Sequence, residues 1–181
     1  MTEKIAAARP RIAWGITGAG HFLPQCVDIL LQLPDVDVFL SRAAEEVLRD
    51  YHLLDRVREA GCCLFREVDA SSRAVTRLYT GRYRLVVVAP VSANSMAKMA
   101  VGIADTLVTN LFAHAGKTMT PIILLPSDSE AETGSLTPRG DRVQVYMRDV
   151  DRQNAALVGR WPGVTVVGGP AELRGALKLE S

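Results

Sequence analysis

The chain has 181 residues, of which 48% are hydrophobic and 23% are charged, and its formal net charge is +1. This composition predicts one soluble domain over residues 1–181, with residues 1–10 as a loose tail, and the near-neutral charge argues against nucleic acid or an anionic membrane as a partner. The apolar runs are too short for a transmembrane helix, and no signal peptide is evident. Cys26, Cys62 and Cys63 form no C-x-x-C pair, so we expect no metal site and a cytoplasmic location.

The first half of the chain predicts three short strands with helices between them. The helical pattern after the first strand stops near Pro34, and Ser41 is a candidate N-cap for the helix that follows the second strand. We expect Cys62 and Cys63 to lie in the core. The three predicted strands are Arg11 to Ile16, Val36 to Leu40 and Cys62 to Phe65.

The second half continues the alternation of strands and helices. Arg84 to Ala89 is the strongest strand signal because consecutive valines suit a central parallel strand that is covered on both faces, and a helix follows from about Ser95. The whole pattern predicts an α/β protein, a three-layer Rossmann-like fold with a mostly parallel central sheet. The remaining elements are strands at Pro121 to Leu125 and Val164 to Val167, a strand or helix start at Val143 to Met147, and a closing helix at Ala171 to Leu179.

Ligands of such sheets bind beyond the carboxyl ends of the strands, so the loops after strands one, two and four are the candidate ligand-binding loops. The first loop, Gly15 to Gly20, has the glycines that let a backbone approach a phosphate, but Leu23 stands where the dinucleotide fingerprint has its third glycine. A tight strand-to-helix turn would have the same residues. Ser41 is either a helix cap or a phosphate ligand, and the sequence does not separate these two roles. His21 is either a flavin or substrate contact or a cap.

The third loop begins at Pro90, and Ser92, Asn94 and Ser95 cluster where polar side chains can hold a ring. The alternative is a helix hairpin with ordinary caps.

The apolar stretch Val101 to Ala113 follows the third loop and is predicted to be helical. Gly102 within it indicates a break between two helices or a close approach, and Asp105 on an apolar helix needs a partner. A helix that is apolar on nearly every side needs a neighbouring subunit to cover it, which predicts an oligomer.

The third loop resembles the P-A-S-A-N-T…G-I-A-D-N-L signature of the homo-oligomeric flavin-containing cysteine decarboxylase type of flavoprotein, and the resemblance covers at least Arg11 to Pro126. It implies a sheet ordered 3-2-1-4-5-6 and a homo-oligomer built from trimers, with FMN held between subunits. It places the FMN phosphate at Gly18, Ala19 and Ser41. The other implied cofactor contacts are Pro90, Ser92, Asn94, Ser95, Met96, Asp105 and Asn110.

Within that family, residues 13–20 and 102–110 most resemble the archaeoflavoprotein and dihydromethanopterin reductase branch. The decarboxylases carry a P-x-M-N-x-x-M-W motif after strand five, where this chain has Leu125 to Glu130, and His52 lacks the local motif of their histidine. The resemblance therefore implies an FMN-dependent reductase that passes hydride or electrons from NAD(P)H to dihydromethanopterin or a related pterin, with no residue assigned as acid or base.

Three other functions remain open at this point. The first is an electron-transfer flavoprotein that accepts electrons from an iron–sulfur protein, the second an FMN-dependent decarboxylase or prenyltransferase, and the third a nucleotide-binding domain without flavin. The charge-rich stretch between Arg139 and Arg152 is either a solvated or subunit-contact face or part of a pterin site.

Overall fold

The computed structural model describes residues 10–60, 62–68, 73–127 and 132–179, so most of the predicted N-terminal tail lies outside the described residues. A parallel six-stranded sheet forms its centre, which confirms the predicted fold class. Its strands, in their order across the sheet, are β3 (Cys63–Arg66), β2 (Val36–Leu40), β1 (Arg11–Ile16), β4 (Tyr83–Val91), β5 (Ile122–Pro126) and β8 (Val164–Val166).

Helices cover both faces of this sheet and give the predicted three layers. The first face carries α1 (Leu23–Leu30), α2 (Arg42–Asp50), α3 (Leu54–Glu59) and α7 (Pro170–Ala176). The second carries a short 3-10 helix (Val75–Thr80), α4 (Ala93–Ala100), α5 (Leu107–Lys117) and α6 (Asp149–Val158). In the part of the chain that the structure describes, no helix is long and apolar enough to cross a membrane.

An antiparallel hairpin of β6 (Glu132–Leu136) and β7 (Arg142–Tyr146) is inserted between β5 and α6. It forms a separate two-stranded sheet, so the ambiguous segment Val143 to Met147 is largely a strand that lies outside the central sheet. Residues 128–130 of the segment that replaces the decarboxylase motif lie outside the described residues.

A buried carboxylate links three elements near the amino-terminal ends of the strands. Asp37 in β2 is 0% exposed and accepts hydrogen bonds from Arg11 Nε (2.8 Å), Arg82 Nε (3.2 Å) and Tyr83 Oη (2.8 Å). Burial, followed by the hydrogen bond to Asp37, raises the pKa of the Tyr83 hydroxyl, which therefore stays a donor. Because a buried charge needs such partners, this network stabilises the fold at the end of the sheet opposite the ligand loops.

The predicted helical conformation of Val101 to Ala113 is wrong for residues 101–106, and of the two alternatives at Gly102 the structure forms the break between two helices. Gly102 adopts a left-handed φ of 78°, and residues 101–106 form an irregular connection between α4 and α5. Thr106 then begins α5 with a capping box that it shares with Thr109. A glycine in the left-handed region and a strong N-cap together override the apolar pattern of the sequence.

The adjacent cysteines differ from the expectation of two core residues. Cys63 is exposed and Cys62 only half-buried, because β3 is the edge strand of the sheet. Cys26, in α1, is buried in the core under the first face of the sheet, and this burial raises the pKa of its thiol.

Candidate functional site

A cleft of about 320 Å³ opens at the carboxyl ends of β1, β4 and β5. Its floor consists of residues 18–21 after β1, Ser92 and Ala93 after β4, and Ser127 after β5. Its roof is the hairpin, whose residues at the cleft are Ser135, Leu136, Thr137, Pro138, Val143 and Val145, with Met147 beyond β7. A polar floor under a largely apolar roof suits a flat ring system with a few polar edges.

Thr17 joins the first and third loops into one unit. Its buried hydroxyl donates to the carbonyl of Pro90 (2.9 Å) and accepts from the N–H of Ser92 (2.7 Å). The Thr17 N–H also donates to the Pro90 carbonyl at 3.3 Å. The glycine loop and the start of α4 are therefore held in a fixed relation on the floor of the cleft.

The glycine loop lies directly against the first turn of α2. A Cβ on Gly18 would come within 2.5 Å of the Cβ of Ala43, so only glycine permits this approach. The backbone N–H groups of Gly18 and Gly20 have no acceptor among the described residues, whereas that of Ala19 donates to the Thr17 carbonyl. Free amides beside a helix N-terminus form a donor set suited to a phosphate.

Ser41 is the N-cap of α2, as predicted. Its hydroxyl accepts from the N–H of Ala44 at 3.1 Å, and its own N–H donates to the Ile16 carbonyl at 3.2 Å. Ser41 thus lies beside the end of β1 and next to the glycine loop. The cap leaves a hydroxyl proton available for a ligand oxygen, because a serine hydroxyl donates as well as accepts.

Ser92 caps α4, and its Oγ accepts from the Ser95 N–H at 3.3 Å. Asn94, in the first turn of this helix, is exposed to solvent. Ser95 is buried, and Met96 is only 2% exposed and packs in the core under the second face. The predicted contact of Met96 with a flavin ring therefore stays a prediction.

Asp105 lies in the loop between α4 and α5 and not on a helix, which corrects the sequence interpretation. Lys98 Nζ bonds both of its carboxylate oxygens, at 2.7 and 2.9 Å, and this partner holds the Asp105 pKa below its usual range. Asn110 Nδ2 donates to the carbonyls of Ala104 (2.9 Å) and Thr106 (3.0 Å). Both residues shape the α4–α5 loop.

The structure brings only part of the predicted set into the cleft of the single chain. Gly18, Ala19 and Ser92 line it. The predicted contacts outside its lining are Ser41, Pro90, Asn94, Ser95, Met96, Asp105 and Asn110.

Sequence reasoning missed Tyr51 and the hairpin. Tyr51, directly after α2, lines the cleft and donates from its hydroxyl to the carbonyl of Leu136 in β6 at 2.7 Å. Burial raises the pKa of Tyr51, so the hydroxyl keeps its proton at neutral pH. A tyrosine at a helix end belongs to no motif, and its partner lies 85 residues away in the chain, so no local signal marks this contact.

Relatives of known sequence cover most of the chain. It is 39% identical over 170 residues to an uncharacterized protein of Methanocaldococcus jannaschii, with 90% of this chain and 91% of that protein aligned. It is 41% identical over 141 residues to dihydromethanopterin reductase (acceptor) of Methanosarcina mazei, with 71% of this chain aligned. The aligned region spans 59% of that reductase, so the reductase has further sequence that this chain does not match.

Solved structures give the same relationship. Burkholderia xenovorans DmrB in complex with FMN, described as a cubic protein cage for redox transfer, has a TM-score of 0.86 and 39% identity over 93% of both chains. Phenylacrylic acid decarboxylase from Aquifex aeolicus shares the fold, with a TM-score of 0.68 and 23% identity over 95% of this chain and 98% of its own. The flavoprotein family profile matches residues 2–178, which confirms the resemblance drawn from the third loop: the chain belongs to the flavoprotein family.

Proposed function

We propose that this protein is an FMN-dependent oxidoreductase that reduces dihydromethanopterin or a related pterin. The observation that carries the proposal is the floor of the cleft, where Gly18 and Gly20 have free amides and Gly18 lies against the first turn of α2. The similarity to FMN-bound DmrB supports FMN as the ligand of this floor. The names of the two reductases among its relatives support a pterin as the acceptor.

In this proposal each part of the cleft has a separate task. The amides of Gly18 and Gly20, with the Ser41 hydroxyl, bind the phosphate, and Ala19 lines the loop between them. Bound FMN supplies the hydride chemistry. Ser92 lies at the ring edge, with its hydroxyl 3.1 Å from that of the buried Ser95, and the apolar roof excludes water from the reacting face.

We propose that NAD(P)H is the electron donor. Protein purified without added flavin should be yellow, and heating should release FMN, because the floor has one phosphate loop and no complete dinucleotide fingerprint. Anaerobic addition of NADH or NADPH should then bleach the flavin absorbance, and the reduced protein should reoxidise with dihydromethanopterin. Release of FAD at one per chain contradicts the assignment of FMN. Bleaching that requires an iron–sulfur protein contradicts the nucleotide donor.

We further propose a homo-oligomer built from trimers in which a neighbouring subunit completes the flavin site. Val101 and Ile103, in the loop after α4, are 69% and 48% exposed in the single chain. Neighbouring apolar side chains that are exposed in a single chain are typical of contact surfaces. Asn94, Asp105 and Asn110 belong to the same helix–loop segment, so a subunit that covers this loop would bring them close to the shared cofactor.

Replacing Asn94 by alanine should weaken FMN binding by about 1–3 kcal/mol, because an amide that donates to and accepts from the ring would be lost. The melting temperature of the apoprotein should not change, since Asn94 is exposed and its side chain makes no hydrogen bond within the described chain. Fluorescence titration of apoprotein with FMN measures the first effect, and calorimetry measures the second.

Unchanged FMN affinity in the Asn94→Ala variant would show that this residue has no role in binding the cofactor.

Light scattering of the wild-type protein tests whether a second subunit contributes to the flavin site. A flavin-loaded monomer at micromolar concentration would contradict the participation of a second subunit.

A further inference from the structure

The hairpin that forms the roof of the cleft buries little of its apolar surface. Leu136, Val143 and Val145 line the cleft but remain exposed to solvent. In the part of the chain that the structure describes, neither β6 nor β7 belongs to a ladder of the central sheet. A two-stranded hairpin is only marginally stable by itself in water, so the order of this roof depends on what joins it to the rest of the protein.

One hydrogen bond anchors the roof. Of the hydrogen bonds that residues 134–146 form within the described ranges, the one from Tyr51 Oη to the Leu136 carbonyl, at 2.7 Å, reaches the body of the protein. The others lie inside the hairpin, in its ladder and its turn, where the Thr137 N–H donates to the Asp141 carbonyl at 2.9 Å. Among these residues, Tyr51 therefore provides the polar anchor of the roof.

Tyr51 is itself fixed by the floor of the cleft. A Cβ on Gly20 would overlap the Tyr51 hydroxyl and lie 2.9 Å from its Cζ, so the phenol packs directly on the backbone of the glycine loop. Tyr51 is also the C-cap of α2, and its N–H donates to the Val47 carbonyl at 3.0 Å. Because the helix and the loop hold the phenol in place, its hydroxyl can determine where the weakly held hairpin lies.

We propose that Tyr51 is a positioning residue, whose hydroxyl holds the hairpin in the place where it covers a ring bound on the floor of the cleft. This inference deepens the proposed function and rests on it, because FMN and its acceptor would be the rings under the roof. The hydroxyl takes no part in the chemistry. Position 20 is a glycine, on this view, because any side chain there would displace the phenol from its place between floor and roof.

Tyr51→Phe tests the anchor, because it keeps the ring on Gly20 and removes only the hydroxyl. Hydrogen–deuterium exchange of the protein as purified should become about fivefold faster for residues 134–146, the change expected for the loss of one hydrogen bond. Peptides from β1 and β4 should exchange as in the wild type. In the FMN-loaded enzyme, the KM for dihydromethanopterin should rise about fivefold with little change in kcat, because a loose roof weakens binding of the acceptor and leaves the flavin chemistry intact.

Tyr146→Phe is the matched control. Tyr146 lies on the same hairpin, is exposed outside the lining of the cleft, and its hydroxyl makes no hydrogen bond within the described residues. This variant should exchange and turn over like the wild type.

The outcomes separate the anchor from the proposed function. Unchanged exchange of the hairpin in Tyr51→Phe, or equal acceleration in Tyr146→Phe, overturns the proposal. Acceleration that extends through β1 and β4 also overturns it, since Tyr51 would then stabilise the whole fold. Faster exchange of the hairpin with an unchanged KM overturns the role in the reaction. Absence of pterin reduction in the wild type overturns the proposed function, whereas acceleration confined to the hairpin would still support the anchor.

Discussion

Replacing Asp37 by alanine should lower the free energy of unfolding by about 3 kcal/mol. Removing one partner from a buried ion pair costs about 3–5 kcal/mol, because the remaining groups stay buried without a counter-charge. The lower end applies here, since Arg11 and Arg82 are partly exposed and can turn toward water. The Tyr83 hydroxyl is buried and loses its acceptor at 2.8 Å. Urea unfolding followed by circular dichroism measures the change as a lower midpoint with an unchanged slope.

Asp35 is the matched control for this prediction. It bonds the same Arg11 guanidinium at 3.2 Å, but its side chain is 51% exposed. Asp35 has a left-handed φ of 56°, which asparagine tolerates better than alanine does, so the control substitution is Asp35→Asn. An exposed ion pair contributes about 0–1 kcal/mol, so this variant should unfold close to the wild-type midpoint. Similar losses in both variants would show that charge near Arg11, and not the buried network, stabilises β2.

Replacing Gly18 by alanine should reduce FMN affinity at least about tenfold. The new Cβ would lie 2.5 Å from the Cβ of Ala43, in van der Waals overlap with a backbone-anchored atom, so the loop must move away from α2. Overpacking of this kind costs roughly 1–3 kcal/mol, and about 1.4 kcal/mol corresponds to a tenfold change in affinity. Fluorescence titration of the apoprotein with FMN, compared with its unfolding midpoint, separates lost binding from lost stability.

A second substitution makes this prediction specific. Ala43→Gly removes the atom that the new methyl group meets, so the Gly18→Ala/Ala43→Gly double variant should recover most of the affinity. Gly116→Ala in α5 is the control, because its Cβ meets nothing within 4 Å and an alanine there should stabilise the helix by up to about 1 kcal/mol. If the single Gly18→Ala variant binds FMN with wild-type affinity, the FMN phosphate does not bind at the glycine loop.

The strands and the floor of the cleft were predictable because both follow from short-range patterns. Strands Arg11–Ile16 and Val36–Leu40 have the predicted bounds, since parallel strands buried on both faces are continuous apolar runs between turn residues. Parallel topology alone then brings the loops after β1 and β4 together. For this reason Gly18, Ala19 and Ser92 line one cleft, as their positions at strand ends indicated.

The roof was not predictable because contacts between distant segments position it. Residues Arg142–Tyr146 are exposed on the hairpin, so they lack the one-sided burial that fixes an alternating pattern. The prediction of the α4–α5 connection was wrong for a different reason. Its apolar residues favour a helix, but the left-handed Gly102 and the Thr106 cap end one helix and begin another. Asp105 consequently pairs with Lys98 in a loop.

Within the described ranges, β6 and β7 form ladder hydrogen bonds with each other and with no strand of the central sheet. A substitution in the hairpin therefore leaves the parallel ladder and its buried residues unchanged. Floor and roof can diverge at different rates over evolutionary time, because the hairpin is free of the packing constraints that hold β1 and β4. Such modularity gives descendants of this fold a way to change the roof of the cleft while the glycine loop in its floor stays the same.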